Sequence, residues 1–129
     1  ICHQFVEGMT ENGYGRIVNI ASIMGKVGFE TSSAYVAAKH GVIGLTKNAG
    51  LEYGKQGIRV NAVGPGFIKT PLLEGNLTKE MKDQLTALHP IGRMGESEEV
   101  AEMVLWLSSE KASFANGTYY ALDGGYLAR

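Results

Sequence analysis

Residues 57–66 read Gly-Ile-Arg-Val-Asn-Ala-Val-Gly-Pro-Gly, and this stretch decides the fold class. A β-branched, apolar run that ends at glycine and proline predicts a buried strand over 57–63. Two similar runs occur elsewhere: residues 16–22 follow a turn-forming Asn-Gly pair, and residues 117–123 precede a Gly-Gly pair. The sequence therefore predicts three strands, one near each end of the chain and one in its middle.

Helical segments separate these strands. One helix is predicted to begin with Ser32 or Ser33 as its N-cap and to run to about Tyr53, where Gly54 would end it. Another is predicted over 97–108, with four apolar residues on one face: Val100, Met103, Val104 and Leu107. The order β-α-β-α-β predicts an α/β fold whose parallel strands are joined by right-handed crossovers.

Size and composition indicate one domain of ordinary globular character. The chain has 129 residues, of which 44% are hydrophobic and 19% charged. A net charge of -1 argues against a nucleic-acid or anionic membrane partner. No apolar run reaches about 18 residues, so no membrane span is predicted. The single cysteine, Cys2, cannot form an internal disulfide and fits a reducing, cytoplasmic compartment.

Three polar residues around the first long helix suggest proton-transfer chemistry. Tyr35 and Lys39 lie four residues apart and share one helix face, and Ser22 precedes the tyrosine by thirteen residues. The ordinary pKa of tyrosine is about 10, and an ammonium group beside the ring would lower that pKa by favouring the phenolate. Such a phenol can exchange a proton with an alcohol or ketone oxygen. The pattern therefore predicts carbonyl–alcohol interconversion.

The motifs of this chain resemble those of the short-chain dehydrogenase/reductase family. They occur in the family's order: Ser22, the Tyr35-x-x-x-Lys39 pair, residues 60–70 with Pro65-Gly66, and Asp123-Gly124-Gly125. The likeness covers nearly the whole chain, from about residue 15 to residue 125. It implies the C-terminal part of a Rossmann-like, doubly wound parallel sheet. It also implies hydride transfer between NAD or NADP and a small-molecule ketone or alcohol.

The resemblance implies a role for each motif residue. Tyr35 would be the general acid/base, and Ser22 would hold the substrate oxygen. Lys39 would lower the pKa of the tyrosine and bind the nicotinamide ribose. Tyr35 and Lys39 therefore count as cofactor contacts too, and four further residues would line or bind the nicotinamide side: Pro65, Gly66, Ile68 and Thr70. No metal site is predicted, because the histidines at 3, 40 and 89 are isolated and should be surface or packing residues.

The family's first half has no counterpart in this sequence. No glycine-rich strand-to-helix turn of the G-x-G-x-x-G kind occurs, so no helix N-terminus is offered to a pyrophosphate. Residues 1–9 read as the end of a helix, with Ile1, Phe5 and Met9 on one face. We therefore expect a single partial domain, 1–129, that lacks the dinucleotide-binding half. Its cofactor site would then be incomplete, and the sequence would not show whether the cofactor is NAD or NADP. Its uncovered surface would favour a homo-oligomer.

Two other functions stay open from the sequence. The chain could be a catalytically inactive, truncated remnant that acts as a folded oligomeric or interaction module, or a sugar-nucleotide epimerase that shares Tyr-x-x-x-Lys.

Residues 70–89 are polar and irregular, with one short helix predicted from Thr78 to Leu88, and should form a lid over the substrate. Five apolar residues there suggest a partly apolar pocket, unless they only pack the lid helix: Leu72, Leu73, Leu77, Met81 and Leu88. Asn61 is expected to be structural, satisfying backbone groups between strand and helix.

Overall fold

The computed structural model describes residues 2–128, with the side chains of all but Cys2, His3, Leu72 and Glu74. The predictions for Ile1, and for the side chains of Cys2, His3 and Leu72, lie outside that part. The first helix, α1, spans Cys2–Glu11, so the predicted helical segment continues two residues past Met9.

Three parallel strands form one sheet. The strands β1 (Gly15–Ile20), β2 (Ile58–Pro65) and β3 (Tyr119–Leu122) lie in the order β1-β2-β3. Both neighbouring pairs are parallel, and the register places Ala62 opposite Tyr119. The predicted α/β class and parallel sheet are confirmed.

Four helices follow β1 along the chain. They are α2 (Ser33–Tyr53), α3 (Pro71–Asn76), α4 (Lys79–Ala87) and α5 (Ser97–Ser108). The α5 helix has the predicted bounds, and α4 is one residue shorter than predicted at each end, whereas α3 was not predicted. Within the described residues no helix is long and apolar enough to cross a lipid bilayer.

The end of α2 differs from the prediction. Gly54 keeps a right-handed backbone with φ of -58°, and the chain continues in a 3₁₀ turn over Gly54–Gln56. The left-handed residue is Gly57, with φ of 79°. A Cβ atom on Gly57 would lie 2.1 Å from the carbonyl oxygen of Gly13. Gly57, and not Gly54, therefore allows the chain to turn closely past Gly13 into β2.

The strand ends also differ from the prediction. β1 stops at Ile20, so Ser22 lies two residues beyond it, as the N-cap of a 3₁₀ turn over Ile23–Gly25. β2 continues two residues further than expected, because Pro65 still pairs with Leu122 in the register with β3. The chain leaves both strands at the same edge of the sheet.

Successive residues of β2 face helices on opposite sides of the sheet. Ala62 belongs to a buried cluster with Ile43 of α2, and Val63 belongs to one with Leu107 of α5. The predicted apolar face of α5 packs against that second cluster. Burial of a side chain such as Ile43 or Leu107 contributes about 1.5–3 kcal/mol. The sheet is therefore held between α2 and α5, which places the first turns of α2 beside the end of β1.

Two polar side chains of β2 are buried and hydrogen bonded. The Asn61 Nδ2 group donates to the Ala115 carbonyl (2.8 Å), and its Oδ1 accepts from the Thr118 amide (3.2 Å). Arg59 donates to the carbonyl of Leu107 (2.9 Å) near the end of α5, and burial lowers the pKa of this guanidinium. Asn61 thus satisfies backbone groups, as predicted, although they belong to the segment before β3 and not to a helix.

Candidate active site

A cavity of about 380 Å³ opens at the carboxyl edge of the sheet. Parallel strands present their carboxyl ends at one edge, where ligands bind in open α/β sheets. The cavity has polar groups from Ser22, Ser32, Tyr35 and Thr70, and its remaining lining is apolar or backbone: Ile23, Met24, Gly66, Phe67, Ile68 and Leu73. Residues that lie far apart in the sequence are therefore brought to one concave surface.

Ser22 is buried and held in a defined backbone conformation. Its backbone is extended (φ -174°, ψ 162°), and its Oγ accepts a hydrogen bond from the Met24 amide at 3.1 Å. This contact uses an oxygen lone pair and leaves the hydroxyl proton available to a substrate oxygen. The serine therefore caps its turn and can still donate into the cavity.

Tyr35 and Lys39 lie on one face of α2, as their spacing predicts. Tyr35 is in the first turn of the helix and is 48% exposed. The Lys39 Nζ lies 5.4 Å from the centre of the Tyr35 ring and donates to the Ile20 carbonyl at 2.7 Å. This bond ties α2 to the last residue of β1. Lys39 is not among the residues that line the cavity, and its Nζ faces both the Tyr35 ring and the last residue of β1.

The turn after β2 is fixed by backbone hydrogen bonds. The Gly66 amide donates to the Leu122 carbonyl (3.0 Å), and the Lys69 amide donates to the Gly95 carbonyl (2.8 Å). The Gly95 amide in turn donates to the Phe67 carbonyl (2.9 Å). Phe67 and Lys69 thus pair with Gly95 as neighbours in parallel strands do, and Ile68 lies between them. The amide and carbonyl of Ile68 take no part in this pairing, so they point to the opposite side of the segment.

Thr70 begins the helix that sequence reasoning missed. Its Oγ1 accepts from the Leu73 amide at 3.4 Å, and Pro71 occupies the first helical position of α3. A threonine cap followed by proline is a recognised helix start, and that signal was present in the sequence. Thr70 lines the cavity as well, whereas Pro65 ends β2 behind it.

His89 is a buried packing residue that connects α4 to the turn after β2. Its Nε2 accepts from the Phe67 amide (3.2 Å), so the ring proton is on Nδ1, which lies 2.8 Å from the Leu85 carbonyl. Its ring lies 5.8 Å from the ring of Phe67 and 5.7 Å from that of Tyr126. The sequence offered no signal for this contact.

In the part of the chain that the structure describes, no three His, Cys, Asp or Glu side chains are grouped to hold a metal ion.

The fold is a Rossmann-like α/β sheet of parallel strands, and the candidate site lies at its carboxyl edge. The chain belongs to the short-chain dehydrogenase/reductase family, because the family model described as an enoyl-(acyl carrier protein) reductase matches residues 1–127. The resemblance read from the motifs is therefore confirmed.

Similar proteins are dehydrogenases about twice as long. The chain is 51% identical to cyclohexanol dehydrogenase of Acinetobacter sp. (strain SE19), over 98% of this chain and 49% of that protein. It is 49% identical to cis-4-hydroxycyclohexanecarboxylate dehydrogenase of Sinomonas cyclohexanicum, over 93% of this chain and 48% of that protein. An Agrobacterium tumefaciens protein solved with bound NADP has a TM-score of 0.94 and 38% identity, over 99% of this chain and 53% of that one. The chain spans about half the length of the relatives it matches.

Proposed function

We propose that this chain is the catalytic part of an NAD(P)-dependent dehydrogenase that interconverts a secondary alcohol and a ketone. The observation that carries the proposal is that Ser22 and Tyr35 line one cavity at the carboxyl edge of the sheet, with Lys39 beside the tyrosine. A serine donor and a phenol in one concave site, with a cation beside the phenol, can bind an oxygen and move its proton.

Each of the three residues has a distinct role in this proposal. The Ser22 hydroxyl donates to the substrate oxygen, since its lone pair is engaged by the Met24 amide. Tyr35 takes the proton of the alcohol during oxidation and returns it during reduction. Lys39 supplies a positive charge beside the Tyr35 ring and contacts the cofactor ribose. The nicotinamide, when bound, accepts or supplies the hydride.

The residues around the turn after β2 fit a nicotinamide. Six residues would hold the cofactor: Tyr35, Lys39, Pro65, Gly66, Ile68 and Thr70. The backbone bridge to Gly95 leaves the amide and carbonyl of Ile68 on the opposite side of the segment, and Ile68 lines the cavity. One donor and one acceptor side by side match the carboxamide of a nicotinamide, which offers one of each.

We further propose a six-membered alicyclic alcohol or ketone as substrate. Five side chains give the cavity an apolar wall: Ile23, Met24, Phe67, Ile68 and Leu73. Such a wall favours a carbocycle over a hydrated sugar, because an unpaired hydroxyl would lose its hydrogen bonds to water there. The names of the two relatives above contain cyclohexanol and hydroxycyclohexanecarboxylate. Residues 70–89, with α3 and α4, would form the lid over this ring.

The role of Tyr35 is tested by Tyr35→Phe in the complete polypeptide that the gene encodes. We expect cyclohexanol oxidation with NAD⁺ or NADP⁺ to fall by about 10²–10⁴-fold, the usual loss on removing a general acid/base. Cofactor affinity, measured by fluorescence titration, should fall far less than turnover, because the other five proposed cofactor contacts remain. Tyr53→Phe, at the far end of the same helix, is the matched control and should keep full activity. Intact turnover in Tyr35→Phe would show that the acid/base assignment is wrong.

A second candidate is a folded, non-catalytic module. The observation that favours it is that the 129 residues contain no glycine-rich turn for a pyrophosphate. Calorimetry of the 129-residue chain with NAD(H) and NADP(H) separates the two functions. Binding near micromolar, together with slow ketone turnover, would eliminate the module, and the absence of both would favour it.

A further inference from the structure

Tyr119 makes a hydrogen bond to the backbone of Ser22 across the middle strand of the sheet. Tyr119 is the first residue of β3, whereas Ser22 follows β1, and β2 lies between these strands. The Tyr119 hydroxyl donates to the Ser22 carbonyl at 3.1 Å. The two residues are 97 positions apart in the sequence, so only the assembled sheet brings them together.

Gly64 of β2 provides the space through which this side chain passes. A Cβ atom on Gly64 would lie 2.0 Å from the Tyr119 hydroxyl oxygen and 2.1 Å from two carbons of its ring. Any side chain at this position would therefore displace the phenol from the Ser22 carbonyl. The ring also packs against the buried cluster of Ala21, Ile43 and Ala62, which restrains it further.

The Ser22 carbonyl receives two hydrogen bonds, and together they orient the residue. The Gly25 amide donates to it at 2.9 Å within the 3₁₀ turn, and Tyr119 donates from outside that turn. A carbonyl oxygen has two lone pairs, so both acceptor positions are used. The fixed carbonyl, together with the extended ψ of 162°, restrains the direction of the Ser22 Cα–Cβ bond, and the Met24 amide holds the Oγ at its end.

The Tyr119 hydroxyl remains a donor over the neutral and moderately alkaline range. Burial, with a smaller effect of the Asp123 carboxylate, raises the pKa of Tyr119 to about 12. The Lys26 ammonium lies 5.1 Å from the centre of the ring, on the chain just after the turn that Ser22 caps. Tyr119 thus acts as a fixed donor and takes no part in proton transfer.

We propose that Tyr119 is a positioning residue for the serine of the active site: through Gly64 and the Ser22 carbonyl, it aims the Ser22 hydroxyl at the substrate oxygen. This inference rests on the proposed function of Ser22. Oriented donors contribute to the chemical step in proportion to how well they are held, because a small displacement weakens the bond that forms in the transition state.

The test is a double-mutant cycle in the complete polypeptide, with Tyr119→Phe, Ser22→Ala and the double variant. We expect Tyr119→Phe alone to lower kcat for cyclohexanol by roughly fivefold to tenfold, the equivalent of about one hydrogen bond, with KM for the cofactor unchanged. In the Ser22→Ala background the same change should have almost no effect on kcat, because the hydroxyl it aims is gone. Rates are normalised to the folded fraction, measured by circular dichroism.

The matched control is Tyr120→Phe, the same chemical change on the next residue of β3, whose ring packs against Trp106 on the other face. It should keep the wild-type kcat. An equal loss from Tyr119→Phe in both backgrounds would mean general destabilisation and overturn the inference, as would an unchanged kcat in Tyr119→Phe alone. If Ser22→Ala itself keeps full activity, the proposed role of Ser22 fails, and the positioning role fails with it.

Discussion

At the scale of single residues, Gly25 sets the distance between the serine turn and α2. A Cβ atom on Gly25 would lie 2.8 Å from the carbonyl oxygen of Lys39 and 2.6 Å from Cδ1 of Ile43. The backbone of the turn therefore rests directly on the helix that carries Tyr35. Because the nearest backbone atom belongs to Lys39, a side chain at Gly25 would push apart the elements that hold the candidate catalytic groups.

We expect Gly25→Ala to destabilise the fold by about 1–3 kcal/mol, the usual effect of overpacking a close contact. It should also lower kcat, since Ser22 and Lys39 would separate. Urea unfolding and turnover measure the two effects. Gly28→Ala is the control, because a Cβ atom there would meet nothing within 4 Å. If both variants behave alike, Gly25 does not set the spacing of the site.

At the scale of elements, the start of α5 is tied to the turn after β2 by charged groups. The Glu99 carboxylate accepts from the Glu96 amide (2.8 Å) and from both terminal nitrogens of Arg93 (2.8 and 2.7 Å). Lys69, next to Thr70, forms an ion pair with Glu96. A carboxylate in the first turn also interacts favourably with the helix dipole. These bonds connect the helix on one face of the sheet with the segment proposed to bind the nicotinamide.

Glu99 makes the stability of α5 depend on pH. Hydrogen bonds from Arg93, and then from the Glu96 amide, lower the pKa of Glu99 from 4.5 to about 2. Because the folded state favours the ionised form, this contribution is present above pH 4.5 and is lost as the pH falls toward 2. We expect Glu99→Gln to lower the urea midpoint at pH 7 and to approach the wild-type midpoint as the pH is lowered through that window.

The control for this prediction is Glu102→Gln, an exposed carboxylate on the same helix. Its midpoint should follow that of the wild type at each pH. A constant difference between Glu99→Gln and the wild type from pH 7 to pH 3 would contradict the role of the charge.

At the scale of the whole molecule, the described chain exposes large apolar side chains on both helical layers. Leu45 and Leu51 of α2 are 59% and 84% exposed. Leu105 of α5 is 64% exposed, and Phe114, just beyond that helix, is fully exposed. Among the described residues β1 pairs only with β2, so its other edge is open as well. Large exposed apolar side chains and an open strand edge are typical of interaction faces, and we propose that the protein self-associates.

We expect sedimentation velocity of the complete polypeptide to show an oligomer. Leu51→Asp or Phe114→Asp should raise the dissociation constant by about tenfold or more, because a buried charge replaces an apolar contact. Lys55→Asp places the same acid at an exposed polar position and should leave association unchanged. A monomer at all concentrations would contradict the proposal, and variants that associate like the wild type would show that these two positions lie outside the interface.

Much of this architecture could be predicted because its signals are local. The order of strands and helices follows from apolar runs and turn residues, and α5 was predicted with its observed bounds because its apolar period is regular. Gly54 was a reasonable stop for α2, but the close approach to Gly13 makes Gly57 the left-handed residue instead. The N-cap signal of Thr70 followed by Pro71 is present in the sequence, but α3 was missed because it lies in a polar stretch that predicts irregular structure.

The sequence by itself determined which residues are proposed to carry the chemistry and at which end of the sheet they lie. Ser22 and Tyr35 had to meet at the carboxyl edge once the strands were parallel, because that edge is where β1 ends and α2 begins. Only the tertiary structure decided how these groups are supported. The hydrogen bonds of His89 with the Phe67 amide and of Tyr119 with the Ser22 carbonyl form only when distant segments pack together. No local sequence pattern specifies a partner 97 residues away.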